Sequence, residues 1–243
     1  MTFSALIPAR LNSTRLKRKL LKKINGIPLI VRTFQNIKSF NFFDNVTVVT
    51  ESDEIIKALK EYNISFLKSK KNHRTGTDRI AEFANDIISE FVINVQGDEP
   101  FIEKDDMRKI IDEFKKDKQK KIDVVSLMSR MNIKKQIINP NNVKVVVDKN
   151  NDSIIFTRSV IPYQRSDINP IFYKHVGIYG FRKSFLKDFS KYEQTLLEKS
   201  EKIEALRIVE NGKKIRMIEI FNEHISIDTP EDLKRAKLLF NLK

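Results

Sequence analysis

Cysteine and tryptophan are absent from the chain, histidine occurs three times and glycine six times. Without cysteine there can be no disulfide, no thiolate metal site and no thiol nucleophile, a composition compatible with a reducing cytoplasm. Any metal must therefore be held by oxygen or by one of the few histidines. Long apolar runs are also missing: the longest are strand-sized, so no membrane span is expected. The N-terminus enters a strand without a charged segment and a long apolar stretch, so no export signal is expected and the cytoplasm is the expected location. With so little glycine, neither Gly-x-x-x-x-Gly-Lys nor Gly-x-Gly-x-x-Gly occurs, which removes the two common glycine-rich phosphate loops. Internal repeats, low-complexity tracts and Gly/Ser linkers are absent too.

What is present describes a globular protein. The 243 residues are 40% hydrophobic, with 17 Phe, and 32% charged, enough for a sizeable core in one α/β domain with an embedded lobe. The net charge of +14 invites a nucleic-acid reading through Lys68-Ser69-Lys70-Lys71 and Lys115 to Lys121. Those lysines are mixed with acidic residues and lack interleaved aromatics, so a solvated surface and acidic small substrates fit better, and no nucleic-acid partner is expected.

Apolar periodicity gives strand and helix in alternation. Phe3 to Ile7 reads as a strand, Pro28 to Phe40 as a helix after the Asn25-Gly26 turn, and Val46 to Val49 as a strand. Ser52 caps a helix to about Tyr62, with Asp53 and Glu54 in its first turn. Ile64 to Leu67 is a strand, Thr77 to Ile88 a helix, and Phe91 to Val95 a buried strand. This half predicts a Rossmann-like, mostly parallel sheet. Further on, Val124 to Met128, Val143 to Val147, Ile154 to Thr157 and Val176 to Phe181 are strands with fewer helices, which predicts a mixed sheet and a small inserted lobe at about 120–185. Lys202 to Asn211 reads as a helix, Ile215 to Ile220 as a strand, and Pro230 to Phe240 as a terminal helix capped by Asp228 or Thr229. Residues 1–243 are read as one domain carrying that insertion.

The chemistry gathers at strand ends. After the first strand, Pro8 to Lys19 carries Arg10, Arg15, Lys17, Arg18 and Lys19 with the hydroxyls of Ser13 and Thr14. A strand ending in Pro cannot extend its ladder, so this basic loop sits where open α/β sheets bind ligands. Forked arginine contacts, a lysine point charge and hydroxyl donors suit a nucleotide triphosphate. Thr75-Gly76-Thr77-Asp78-Arg79 opens a helix with free backbone N–H groups. Asp98 and Asp228 each follow an apolar strand and precede a Pro turn, which poises them at the same kind of edge. A hard cation such as Mg²⁺ needs little more than one or two carboxylates and substrate phosphates. Asp228 reads equally well as an ordinary helix cap, and His73, His175 and His224 as satisfied histidines of the fold. Gly177 and Gly180 mark a strand that a ligand or another backbone approaches closely.

Six blocks in order, Pro8-Ala9-Arg10 with Ser13-Thr14-Arg15, Thr75 to Arg79, Asn94 to Pro100, Asn139 to Val146, His175 to Gly180, and Asp228 to Leu233, together resemble the 3-deoxy-D-manno-octulosonate (Kdo) cytidylyltransferases, or CMP-Kdo synthetases. Each block is weak alone; together they cover most of the chain. The resemblance implies an α/β nucleotidyltransferase that makes CMP-Kdo and pyrophosphate from CTP and Kdo, needs Mg²⁺, works as a homodimer and serves lipopolysaccharide synthesis. Carried over, Arg10, Arg15, Lys19, Asp98 and Asp228 form the catalytic set. Ala9, Arg10, Ser13, Thr14, Arg15, Lys19, Thr75, Gly76, Thr77 and Arg79 hold the nucleotide, and Asp98 and Asp228 the metal. Gln96, Arg158, His175, Tyr179 and Glu204 face the sugar.

The chain also departs from that pattern. Where the family has Leu-Pro-Gly-Lys this chain has Leu16-Lys17-Arg18-Lys19, so the turn there is open to change. Ala205 replaces a glutamine, and Tyr163 stands in place of a tryptophan. An acceptor related to Kdo, such as the 8-amino sugar, stays open as an alternative.

Overall fold

The computed structural model describes residues 1–13, 15–221 and 225–241. In chain order the elements are β1 (Phe3–Ala9), a 3-10 turn (Lys19–Leu21), β2 (Lys23–Ile24), β3 (Ile27–Pro28), α1 (Leu29–Ser39), β4 (Asn45–Thr50), α2 (Asp53–Glu61), β5 (Phe66–Lys68), α3 (Gly76–Ala81), β6 (Phe91–Asn94) and α4 (Lys104–Lys116). There follow β7 (Val124–Met131), α5 (Lys134–Ile138), β8 (Lys144–Val147), β9 (Ser153–Thr157), β10 (Phe172–Arg182), α6 (Lys183–Phe189), α7 (Leu196–Glu201), α8 (Ala205–Glu210), β11 (Arg216–Ile220) and α9 (Pro230–Asn241). The chain forms two compact units, Met1–Met107 with His224–Lys243, and Arg108–Glu223.

In the first unit β1 is buried along its whole length, because both of its edges are paired in parallel, with β4 on one side and β6 on the other. β5 continues the order beyond β4. The chain thus moves outward from β1 through β4 to β5 and then returns to β1's other flank with β6. That reversal makes the carboxyl ends of β1 and β6 a topological switch point, where the loops leaving neighbouring strands splay apart and leave room for a ligand. Phe3 and Phe91 stack at 4.8 Å across β1 and β6, and Leu29, Ile30 and Val31 of α1 have no exposed surface. The Ser52 cap is present, its hydroxyl accepting from the Ile55 N–H at 3.3 Å.

The second unit has a mixed sheet. β10 runs antiparallel to β7 and to β8, β9 is antiparallel to β8, and β11 is parallel to β7. The register of β10 on β7 slips between Val176 and Tyr179, leaving Gly177 and Ile178 as a bulge. The α/β fold expected from the alternation is therefore present, parallel in the first unit and mixed in the second.

Three local expectations are corrected. The helix expected over Thr77 to Ile88 ends at Ala81, after which Phe83 and Ala84 donate to Ile80 and Ala81 in tighter three-residue turns. The helix expected over Lys202 to Asn211 is α8, which starts only at Ala205 and ends at Glu210; a separate short helix, α7, precedes it, and Lys202 turns the chain between the two with φ 56°. The Glu198–Arg207 pair between them, each side chain 2% exposed, fixes that corner. Finally, α4 was absent from the sequence reading, although Met107, Ile110, Ile111 and Phe114 are buried at helical spacing. Among the described residues no helix is long and apolar enough to cross a membrane.

Candidate active site

Three segments of the first unit converge at the switch point. Lys19, at the start of the 3-10 turn, donates through Nζ to Asp228 Oδ1 at 2.9 Å and to Asp98 Oδ2. Arg15 Nη2 stands 2.9 Å from the same Asp228 oxygen. Asp98 follows β6, and its backbone carbonyl accepts from the Ile227 N–H at 3.1 Å, which delivers Asp228 to the cluster. Burial pulls the Lys19 ammonium down, but Asp98 and Asp228 together outweigh it and hold its pKa above the ordinary 10.5.

The helix-cap reading of Asp228 is settled by geometry. Thr229 Oγ1 accepts from the Asp232 N–H at 3.2 Å, and Asp232 Oδ2 accepts in return from the N–H groups of Asp228 and Thr229. This reciprocal box caps α9 without the Asp228 carboxylate, which is left to face Lys19 and Arg15. Gly97, just before Asp98, is needed for close packing: a Cβ there would meet Ile30 Cδ1 at 3.0 Å and Leu20 at 3.2 Å. Thr33 fastens the same backbone by donating to the Gly97 carbonyl at 2.9 Å.

The basic loop turns through a left-handed residue that is not a glycine. Arg18 adopts φ 53° and ψ 36°, the left-handed region that glycine occupies freely, and its guanidinium pairs with Glu54. Ala9 ends β1 fully buried, while Arg10 is exposed and Ser13 half-buried. Thr14 lies outside the described residues, as does His224.

The Thr75 to Arg79 segment borders the same switch point. Thr75 Oγ1 caps α3 by accepting from the Asp78 N–H at 3.1 Å. A Cβ on Gly76 would meet Pro8 Cγ at 3.1 Å and the Gln96 amide at 3.3 Å, so the loop lies against the ends of both β1 and β6. Thr77 Oγ1 accepts from Asn94 Nδ2 at 3.1 Å. Arg79 is buried and pairs with Glu51 at 2.9 Å; burial first, and Arg10 with it, hold its pKa below the ordinary value against the pull of Glu51. Its Nε has no hydrogen-bond partner among the described residues.

Of the expected sugar residues, Gln96 is in this unit, half-buried over Gly76. The others belong to the second unit. His175 is buried between two rings, edge-on to Phe156 at 4.9 Å and tilted against Tyr179 at 5.4 Å. Ser126 Oγ donates to the Ile178 carbonyl at 2.7 Å, so it accepts from His175 Nε2 at 3.1 Å. That single bond ties the imidazole to the bulge. Burial, and Lys174 to a lesser extent, lower the His175 pKa to about 3, so the ring is neutral. The Tyr179 phenol is pushed up by burial and by nearby Glu204, which places Tyr179, His175 and Glu204 in one neighbourhood. Arg158 donates to the carbonyls of Glu201 at 2.7 Å and Pro140 at 2.8 Å. Ala205 is fully enclosed.

Sequence reasoning missed Lys144. It is completely buried, and its ammonium donates to the carbonyls of Asn139, Asn142 and Arg158 at 2.7 to 3.0 Å. Burial first, and then Arg158, lower its pKa. A lysine inside an apolar strand was the available signal.

Two carboxylates meeting at one cation, with hydroxyl and guanidinium donors alongside, suit a hard divalent ion shared with phosphates. Among the described residues there is no cluster of three or more ligating side chains, so such an ion would complete its shell with substrate and water oxygens.

Residues 4–215 match the cytidylyltransferase family model. The 3-deoxy-manno-octulosonate cytidylyltransferase of Flavobacterium johnsoniae is 45% identical over 240 residues, covering 98% of each chain. That of Christiangramia forsetii is 42% identical over 98% of this chain and 96% of its own. Among solved structures, a CMP:2-keto-3-deoxy-manno-octonic acid synthetase complexed with CTP superimposes with TM-score 0.93 at 30% identity, covering 100% of this chain and 99% of the other. The 4-diphosphocytidyl-2C-methyl-D-erythritol synthase of Anaerococcus prevotii shares the fold at TM-score 0.64 and 16% identity. The chain belongs to the 3-deoxy-manno-octulosonate cytidylyltransferase family.

Proposed function

We propose that the protein transfers CMP from CTP to the anomeric hydroxyl of Kdo, forming CMP-Kdo and pyrophosphate. The observation that carries this reading is the convergence of Lys19, Asp98, Asp228 and Arg15 at the β1/β6 switch point, in a chain whose structural relative is complexed with CTP.

The anomeric oxygen attacks the α-phosphorus in line; its new O–P bond replaces the bond to the β-phosphate, and pyrophosphate leaves. Arg10, Ser13, Arg15 and Lys19 bind the triphosphate, with Lys19 and Arg15 aimed at charge growing on the leaving group. Thr75, Gly76, Thr77 and Arg79 receive the nucleoside; the unpaired Arg79 Nε supports that assignment. Asp98 and Asp228 would hold Mg²⁺, which when bound neutralises phosphate charge. Gln96, Arg158, His175, Tyr179 and Glu204 bind the sugar acid, His175 as a neutral donor or acceptor. No enzyme nucleophile is required.

The lobe at about 120–185 serves sugar binding and dimerisation, and the enzyme acts as a cytoplasmic homodimer supplying lipopolysaccharide synthesis. The test is product identification by mass: CMP-Kdo and pyrophosphate form from CTP, Kdo and Mg²⁺, and neither forms without the sugar. A sugar panel in which 8-amino-Kdo is consumed and Kdo is not would replace the acceptor while keeping the chemistry.

A further inference from the structure

Between β5 and α3, Ser69 to Thr75 has no regular structure, and Lys70, Lys71, Asn72 and Arg74 are exposed. A loop so open keeps a single shape only if it is tethered, because ordering its backbone is entropically costly. One carboxylate supplies the tether. Glu82, the first residue after α3, accepts the Lys70 N–H on Oε1 at 2.9 Å. Its Oε2 takes the Ser69 hydroxyl and the His73 ring, the latter at 2.7 Å. An ionised carboxylate only accepts, so His73 Nε2 carries the proton.

The tether is shielded from water, with the His73 side chain 7% and the Glu82 side chain 14% exposed, which strengthens each bond. Burial by itself would raise the Glu82 carboxyl, but the bonds from Ser69, Lys70 and His73 outweigh it and hold it below the ordinary carboxylate value. Both flanks of the loop are anchored as well. Upstream, the Ser69 N–H donates to the Thr50 carbonyl at 2.9 Å; downstream, Gly76 lies on Pro8 and Gln96. Glu82 is thus the side chain that gathers Ser69, Lys70 and His73, and the Ser69 hydroxyl stands 3.0 Å from the Lys71 carbonyl beside it.

We propose that Glu82 is a positioning residue for the nucleotide, gathering Ser69, Lys70 and His73 so that Thr75 to Thr77 stand against the ends of β1 and β6 before CTP arrives. It touches no substrate and acts through the loop, by preorganisation. The inference rests on the reading that this segment receives the nucleotide.

The test uses the full-length protein with Glu82→Ala, Glu82→Gln and Gly76→Ala, CTP binding by calorimetry, steady-state kinetics, and amide hydrogen exchange without nucleotide. Glu82→Ala is expected to raise the CTP Kd and KM about tenfold, to change kcat at saturating CTP by less than about threefold, to leave the Kdo KM alone, and to speed exchange at the Lys70 amide. Glu82→Gln, which keeps an acceptor for Lys70 but not the charge, falls between. Native CTP affinity in the Glu82 variants overturns the proposal: with weakened binding in Gly76→Ala the nucleotide assignment survives, and with native binding there too it falls as well. Should Glu82→Ala fail to melt cooperatively, Glu82→Gln decides alone.

Discussion

Lys19 and Asp228 are 209 positions apart in sequence and meet at 2.9 Å, Nζ to Oδ1. The contact draws the first loop and the segment before the last helix onto Asp98, and it explains why a lysine sits where only 11% of its side chain is exposed. Replacing it with Lys19→Met leaves two carboxylates facing each other without their cation and removes the donor that the proposed function assigns to the leaving phosphates. The expected loss in kcat is on the order of a hundredfold, measured by pyrophosphate release at saturating CTP. Because its folded pKa lies above 10.5, the stability Lys19 contributes is complete below pH 10.5 and is lost as pH rises through the folded value. Denaturant titrations of native protein and Lys19→Met should therefore converge at strongly alkaline pH.

Arg18 holds a left-handed backbone conformation at φ 53°, which costs a non-glycine residue about 1–2 kcal/mol. Its exposed pairing with Glu54 offsets little of that. Arg18→Gly relieves the strain but loosens the unfolded chain, so its stability is expected within about 1 kcal/mol of native, on the stable side. Arg18→Val, β-branched and ill-suited to positive φ, is expected to cost about 1–2 kcal/mol. Chemical denaturation of the two variants checks the order; a Val variant as stable as the Gly variant contradicts it.

His175 gives the protein an acid sensitivity. Its folded pKa is about 3 against an ordinary 6.5, so the unfolded chain binds the extra proton between those values. Stability from this residue is whole above pH 6.5 and falls with acidification, by up to about 1.4 kcal/mol per pH unit, until about pH 3. In His175→Gln, whose amide nitrogen reaches the place of Nε2 and can still donate to Ser126, the denaturation midpoint should decline less steeply between pH 6.5 and 5. Parallel curves would mean that the imidazole is not buried as described.

Much of this was legible in the sequence, for reasons that differ by element. β1 and β6 stand out because the buried strands of a parallel sheet are apolar along their length, and the basic loop and Asp98 follow from where those strands end. Asp228 was ambiguous, since Asp and Thr both cap helices; only the Thr229–Asp232 box frees its carboxylate for the site. α4 was missed because its buried Met107, Ile110, Ile111 and Phe114 are embedded among charged residues, although their spacing is helical. The break after Ala81 and the turn at Lys202 that separates α7 from α8 coincide with tertiary contacts, the Glu82 tether and the Glu198–Arg207 pair, which no local pattern encodes. Lys144 offered only its place inside an apolar strand, because burial of a lysine depends on carbonyls brought together by the folded loops around it. Ala205 reads differently once its full burial is seen: Ala205→Gln tests overpacking before it tests sugar selectivity.

The central claim is that Asp98 and Asp228 are the acidic half of the reaction centre. The most direct measurement is single-turnover CMP-Kdo formation by Asp98→Asn and Asp228→Asn across a Mg²⁺ titration, with thermal melting alongside. Both variants should melt cooperatively, since neither carboxylate caps a helix, while the rate at every Mg²⁺ concentration falls by at least about a hundredfold. A native rate in either folded variant would contradict the account.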